Sequence, residues 1–68
     1  MMIRANVPAD ACDVEIAVQA ARLQVVLQDQ HAGTVERVKG GIIVQVEDES
    51  REAIARSLTC HLGFLPEN

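Results

Sequence analysis

Two adjacent glycines, Gly40 and Gly41, lie between two segments with the composition of β-strands, and this feature constrains the fold more than any other. A glycine pair adopts the positive φ angles of a two-residue hairpin turn without steric cost. In the segment that follows, 42–48, aliphatic side chains recur at every second position, which is the pattern of a strand with one buried face. We therefore predict a β-hairpin in which strands 34–39 and 42–48 are joined by a Gly-Gly turn.

The segments on either side of this hairpin have the pattern of amphipathic helices. The first is predicted over 10–23, because Asp10 is a suitable N-cap and apolar residues recur at helical spacing after it. The second is predicted over 50–62, with Ser50 as the N-cap and a glycine at its end. The side chains expected to face the core are Ile16, Ala20, Leu23 and Leu27 in the first segment and Ala53, Ile54, Leu58, His61 and Leu62 in the second.

The residues between the first helix and the hairpin, 24–31, are compatible with two structures. As a helix, they extend the apolar face by further turns towards Gly33, a suitable helix-ending residue. As a strand, they offer two adjacent β-branched residues, Val25 and Val26, followed by a polar turn. A helix running from 10 to 31 would be about twice the mean length of roughly 11–12 residues, so the shorter helix followed by a strand is favoured.

A strand is predicted over 2–7 before the first helix. After the second helix, Phe64 and Leu65 can pack back on the domain as a short strand or as an irregular apolar segment, and as a strand they complete the order βαββαβ. This order is that of a ferredoxin-like sandwich, an α+β fold with two helices on one face of an antiparallel sheet. The chain of 68 residues has room for one such domain, spanning 1–68. A chain of this size buries only about 60% of its surface on folding, so we expect a marginally stable monomer.

The loop after the first predicted strand, VPADACDVE at residues 7–15, is similar to the metal-binding loop of the heavy-metal-associated domain, the copper-chaperone type. In that family the loop has the form Gly-Met-x-Cys-x-x-Cys, and here Cys12 stands at the first cysteine position and Glu15 at the second. Residues 50–66 also resemble the family's second helix and its closing Gly-Phe or Gly-Tyr segment. The resemblance implies a ferredoxin-like fold and a metal ion bound at the loop, with Cys12 as a ligand.

The pair of Cys12 and Glu15 differs from the family's two thiolates in the ion that it suits. Copper(I) prefers two soft thiolate ligands, whereas one thiolate with one carboxylate suits a borderline ion such as zinc when further ligands are present. We therefore predict no cofactor, with copper or zinc as the alternative if an ion is bound. Cys12 and Cys60 are expected to be free thiols in a cytoplasmic location, since residues 1–7 lack the pattern of a signal peptide.

Charge and composition exclude several classes of function. The formal net charge of −4 disfavours binding to nucleic acid or to an anionic membrane, and Phe64 is the only aromatic residue on which a base could stack. No apolar run approaches the roughly eighteen residues of a membrane-spanning helix. Catalysis is not expected either, because a Cys-His nucleophile pair would lack a third, orienting group, and a chain this short rarely encloses a pocket.

Two functions remain. The favoured one is a protein-association module, because Val14, Val26 and Ile43 do not fit the single core face. On the hairpin, Val35, Val38 and Ile43 alternate poorly with polar residues and would leave apolar surface on the sheet. We expect the sheet around 34–46 to be covered by a second copy or by a partner protein. The alternative is a metal-binding protein that holds a soft or borderline ion through Cys12, with Glu15 beside it.

Overall fold

In the computed structural model, which describes residues 1–67, the chain forms a four-stranded antiparallel sheet with two helices packed on one face. The strands lie in the order β2-β3-β1-β4, and each neighbouring pair is antiparallel. The predicted α+β, ferredoxin-like sandwich is thereby confirmed. The elements follow the chain as β1 (Met2–Asn6), α1 (Asp13–Asp29), β2 (Gly33–Val38), β3 (Gly41–Val46), a 3-10 turn (Glu49–Arg51), α2 (Glu52–His61) and β4 (Leu65–Pro66).

The hairpin turn lies one residue earlier than predicted. Its central residues are Lys39 and Gly40, and β3 already begins at Gly41. Gly40 has a φ of 81°, which a residue with a side chain rarely adopts. At Gly41, a Cβ atom would collide with the carbonyl oxygen of Ala5 on β1. The second glycine is therefore required by the close approach of β1 rather than by the turn, and the predicted limits of both hairpin strands were wrong at their ends.

α1 continues through the segment for which a strand was favoured, so that interpretation of 24–31 is wrong. Leu23 and Leu27, which lie one helical turn apart, are both fully buried in the core. Along the same stretch α1 contacts β2, and Val26 packs at the margin of the core. Because most of a helix's stability in a protein comes from tertiary packing, the burial of these later turns outweighs the statistical preference for a short helix.

α1 ends in a Schellman motif that the sequence did not reveal. The N–H of His31 donates to the carbonyl of Gln28 at 3.1 Å, and the N–H of Ala32 donates to the carbonyl of Leu27 at 2.8 Å. The left-handed residue of the motif is His31, with a φ of 51°, whereas Gly33, the predicted end signal, belongs to β2. The end of α2 has the same geometry, with a glycine at the left-handed position as predicted.

Neither helix begins with its predicted N-cap. α1 starts after Cys12, because Asp10 lies in a tight turn that follows β1. The approach to α2 is a 3-10 turn capped by Asp48, whose carboxylate accepts a hydrogen bond from the backbone N–H of Ser50 at 2.9 Å. In both places a turn between the strand and the helix delays the helix start, and residue preferences at N-caps do not reveal such a turn.

The core lies between the inner face of the sheet and the helices. The predicted inward faces of α1 and β3 are confirmed, but the fully buried positions of α2 are Ala55 and Thr59. Ala53 and His61, both expected to face inward, are exposed because the inward line of α2 runs through Ala55 and Thr59 instead. The Thr59 hydroxyl donates to the carbonyl of Ala55 at 2.7 Å, so its burial leaves no unpaired donor. The buried apolar residues are Ile3, Ala5, Ala20, Leu23, Leu27, Ala32, Ile42, Val44, Val46, Ala55 and Phe64.

Candidate functional site

Both edges of the sheet are protected against the addition of a further strand. At the β2 edge, the side-chain oxygen Oε1 of Gln24 on α1 accepts a hydrogen bond from the backbone N–H of Val35 at 2.6 Å. At the opposite edge, β4 has only two residues, and its Pro66 has no N–H to donate. Covered donors, short edge strands and prolines are devices that limit edge-to-edge pairing. The edges are therefore poor docking sites compared with the faces of the sandwich.

The outer face of the sheet carries apolar side chains separated by polar ones. The strand register places Ile43 between Arg4 on β1 and Glu36 on β2, and Ile43 is only half-exposed. Val38 lies on the same outer face and is 38% exposed. Val35 belongs to the opposite, inner face and packs against the core, so its assignment to the exposed apolar surface was wrong. Alternation within β2 reverses the side of the sheet between Val35 and Val38 because they are three positions apart.

The outward side of α1 carries a continuous line of apolar residues. Val14, Val18 and Val25 are 73%, 46% and 63% exposed, and Ala21 between them is exposed as well. These four residues, which we call the α1 stripe, are spaced four, three and four positions apart and so lie along one side of the helix. Since the opposite side of α1 faces the core, this helix is apolar on two sides.

The α1 stripe was not predicted, although the sequence contains its signal. The inward residues of α1 form a complete apolar face, so Val14 and Val26 stand out in the sequence only as residues that do not fit that face. Residues 14, 18, 21 and 25 have the spacing by which one helix packs on another. This spacing therefore indicates a second apolar face of the helix. Whether such a face is covered by the rest of the chain is visible only in the folded structure.

Two opposite charges and two hollows lie beside the α1 stripe. Glu15 and Arg22 each follow a stripe residue and are seven positions apart, so they lie on the same side of it. Within residues 1–67 the sole ion pair is that of Arg56 with Glu52, at 3.3 Å, so neither Glu15 nor Arg22 has such a partner. An open hollow of about 290 Å³ is lined by Val14, Glu15, Val18, Gln19 and Arg22, and one of about 410 Å³ by Ala21, Arg22, Val25, Val26 and Leu62.

The predicted metal ligands, Cys12 and Glu15, lie together at the start of α1. The thiol Sγ of Cys12 donates to the carboxylate Oε1 of Glu15 at 3.5 Å, and both side chains are exposed. Their proximity follows from their spacing, since the side chain of the third residue of a helix can reach back to the N-cap residue. Within the described part of the chain, no group of three or more His, Cys, Asp or Glu residues is placed to hold a metal ion. Cys60 is a second free and exposed thiol, on α2.

A cleft of about 190 Å³ lies between the start of α1 and the end of α2. Gln19 closes one side of it by donating from Nε2 to the carbonyl of Leu62 at 3.0 Å. Pockets for small molecules usually measure about 300–1,000 Å³, so this cleft is too small to accept one without rearrangement. Its lining residues are Pro8, Ala11, Glu15, Ile16, Gln19, Leu62, Gly63 and Phe64.

Comparison of the chain with protein-family models, with curated proteins and with solved structures yields no match. The similarity to the heavy-metal-associated domain therefore stays a prediction that rests on the loop with Cys12, on residues 50–66 and on the order of the elements. Among residues 1–67, no helix combines the length and the apolar character needed to cross a membrane.

Proposed function

We propose that the chain is a non-catalytic protein-association module that docks through the α1 stripe. The observation that supports this proposal is the exposure of Val14, Val18 and Val25, between 46% and 73%, along a single line of one helix. Isolated exposed aliphatic residues are ordinary, but a contiguous apolar line on a small domain is typical of an interaction surface. Burial of a valine side chain contributes about 1.5–3 kcal/mol, so covering three of them would favour association substantially.

The absence of catalysis in this proposal is supported by the surroundings of Cys12. Its side-chain hydrogen bond goes to a carboxylate, Glu15, and not to a histidine that could act as its base. A cysteine nucleophile requires such a base together with a group that orients it. We also propose a cytoplasmic location, supported by the two free thiols, Cys12 and Cys60, because a reducing compartment keeps thiols unpaired.

The sheet around 34–46 is the second surface through which the module could associate. Its outer face offers Ile43 and Val38, but Arg4 and Glu36 interrupt the apolar area on either side of Ile43. Desolvating those two charges would oppose docking unless the partner paired them. The α1 stripe has no charged member, and for this reason we favour it over the sheet.

Three lysine substitutions test which of these two surfaces mediates association. Val18→Lys places a charge in the α1 stripe, Ile43→Lys places one on the outer face of the sheet, and Ser57→Lys adds the same charge at an exposed position of α2 as the matched control. Each purified variant is examined for self-association by sedimentation velocity. Each also serves as bait in extracts of the source cells, with retained proteins quantified against the wild type.

We expect Val18→Lys to abolish association and Ser57→Lys to preserve it, because a buried lysine has to be desolvated. Loss of association with Ile43→Lys alone would move the docking surface to the sheet. A wild type that neither self-associates nor retains any protein in a manner dependent on residue 18 or 43 would contradict the association function itself.

Metal binding at Cys12 and Glu15 is the second candidate function. The observation that favours it is the 3.5 Å separation of the Cys12 thiol from the Glu15 carboxylate in an exposed position. Two protein ligands make an incomplete zinc site, so the ion would need water or a partner's ligands as well. Titration with zinc(II) and copper(I) tests this function on the wild type, on Cys12→Ser and on Cys60→Ser as the thiol control. Equal affinities for all three proteins would exclude Cys12 as a ligand.

A further inference from the structure

We propose that the occupant of the α1 stripe is the α1 helix of a second copy, packed antiparallel about a two-fold axis that passes between Val18 and Ala21. This inference rests on the proposed association function and names its partner. The 4-3-4 spacing of the stripe is that of alternating d and a positions in a two-helix pair. In the antiparallel arrangement Val14 opposes Val25 of the second copy and Val18 opposes Ala21, so the same patch is complementary to itself.

The charges beside the stripe select the antiparallel arrangement. Glu15 and Arg22 occupy equivalent positions two turns apart on the same flank of the stripe. Reversing one helix brings the two flanks together, so that each Arg22 meets Glu15 of the other copy and the contact is made twice. In a parallel pair this flank would instead meet Ala17 and Gln24, which carry no charge.

Neither of these charges forms an ion pair within the monomer. Within residues 1–67 the ion pair of Arg56 with Glu52 is the one observed, which leaves both Glu15 and Arg22 available. Both are exposed, so bringing them together across an interface requires little desolvation compared with buried charges. Their complementarity is therefore a property of the assembled pair and has no function in the isolated chain.

The surface beside the stripe has room for the side chains of a second helix. The hollows of about 290 and 410 Å³ lie on the same flank, and Arg22 belongs to both linings. Ala21, close to the two-fold axis, has a small side chain, which permits a short interaxial distance at the centre of the pair. The stripe from Val14 to Val25 is roughly 16 Å long, which is short for an interface, so we expect a transient, concentration-dependent dimer.

Charge reversal at the two flanking positions tests this arrangement. The single variants Arg22→Glu and Glu15→Arg each replace two attractive contacts by two repulsive ones. The wild type and both variants are studied by sedimentation velocity up to high micromolar concentration, at physiological salt. We expect each single variant to dimerise about tenfold or more weakly than the wild type. An equimolar mixture of the two should recover wild-type affinity, because the glutamate introduced at position 22 of one chain then meets the arginine introduced at position 15 of the other.

Two controls accompany the charge reversals. Arg37→Glu makes the same charge change at an exposed position on β2 and should leave the dimer unchanged. The thermal midpoint of the wild type is also measured against concentration, which requires no substitution. It should rise with concentration, because association stabilises the folded state by mass action.

The outcomes separate this inference from the function on which it rests. A wild type that stays monomeric, with a midpoint independent of concentration, overturns self-pairing, while a hetero-partner lost with Val18→Lys would leave the association function standing. A dimer that survives Val18→Lys overturns the α1 stripe as the docking surface and with it this inference, while association itself would stand and be assigned to another surface. If Val18→Lys abolishes the dimer but the mixture of charge-reversed variants fails to recover wild-type affinity, the antiparallel arrangement is overturned.

Discussion

Gly40 and Gly41 are adjacent in the chain, but the structure requires a glycine at each position for a different reason. Gly40 has a φ of 81° and open space around its Cα, whereas Gly41 abuts the carbonyl oxygen of Ala5. We expect Gly40→Ala to cost about 1–2 kcal/mol, the penalty of a left-handed residue with a side chain. Gly41→Ala should cost more, because β1 and β3 would have to separate. Urea unfolding of the two variants compares these costs, and a larger loss for Gly40→Ala would contradict the close approach of β1 to Gly41.

Because of Asp48, the free energy of unfolding depends on pH in the acidic range. The hydrogen bonds from the backbone N–H and the side chain of Ser50 lower the pKa of Asp48 below its ordinary value of 3.8; burial opposes the shift slightly, and Arg51 adds to it. A carboxyl group with a lowered pKa stabilises the folded state above its unfolded pKa, and this stabilisation is lost as the pH falls through the folded pKa. The pH range in which this stabilisation is lost therefore lies below 3.8.

The variant Asp48→Asn tests this dependence. Asparagine can still cap the turn, but it does not titrate. We expect the free energy of unfolding of the wild type to fall more steeply than that of Asp48→Asn as the pH decreases below 3.8. The measurement is chemical denaturation over a series of acidic buffers. Parallel curves for the two proteins would show that the hydrogen bonds from Ser50 do not stabilise the charged form.

At the scale of the element, the last turns of α1 distinguish a helix from a strand over 24–31. Leu27 is fully buried, whereas Val25, two positions earlier, is 63% exposed. Leu27→Ala should cost about 2–5 kcal/mol because it creates a cavity in the core. Val25→Ala should change the free energy of unfolding by no more than about 0.5 kcal/mol at a concentration at which the chain is monomeric. Similar losses in the free energy of unfolding for both variants would mean that the two side chains are equally buried, which would contradict a helix over these residues.

The end of α1 offers a stabilising substitution. His31 occupies the left-handed position of the Schellman motif with a φ of 51°, where glycine is the usual residue because it has no Cβ. We expect His31→Gly to stabilise the protein by about 0.5–1 kcal/mol, since the relief of the left-handed strain exceeds the added flexibility of the unfolded chain. His31→Ala is the control and should not be stabilising. A decrease in the urea midpoint of His31→Gly would indicate that the histidine side chain makes a stabilising contact.

At the scale of the whole molecule, the packing of α1 beside β2 covers part of the sheet edge at which another molecule could add a strand. The hydrogen bond from Val35 to Gln24 occupies a backbone donor that a strand of another molecule would otherwise take. Gln24→Met keeps the shape of the side chain but removes the acceptor. We expect it to cost about 1 kcal/mol in stability and to increase light scattering on prolonged incubation. Gln30→Met, at an exposed position at the end of the same helix and away from the α1 stripe, is the control and should not aggregate faster.

The sequence by itself determined the order of the elements, the hairpin and the inward faces of α1 and β3. These features depend on residues that are close in the chain: the two glycines, the alternation from Ile42 to Val46 and the helical spacing up to Leu23. The proximity of Cys12 and Glu15 is local in the same sense, because the third residue of a helix can reach back to the N-cap residue. Periodicity and spacing were therefore sufficient for them.

Only the tertiary structure decided how far α1 extends, where the turn lies and which apolar residues stay uncovered. The burial of Leu27 depends on the sheet beneath it, and the need for a glycine at 41 depends on β1, more than thirty residues away in the chain. Val35 and Val38 read alike in the sequence, but only the register with β3 directs one to the core and the other outward. The exposure of the α1 stripe is also decided by the tertiary structure, because no other part of the described chain packs over Val14, Val18 and Val25. Whether a distant segment covers a helix face cannot be predicted from the residue pattern of that helix.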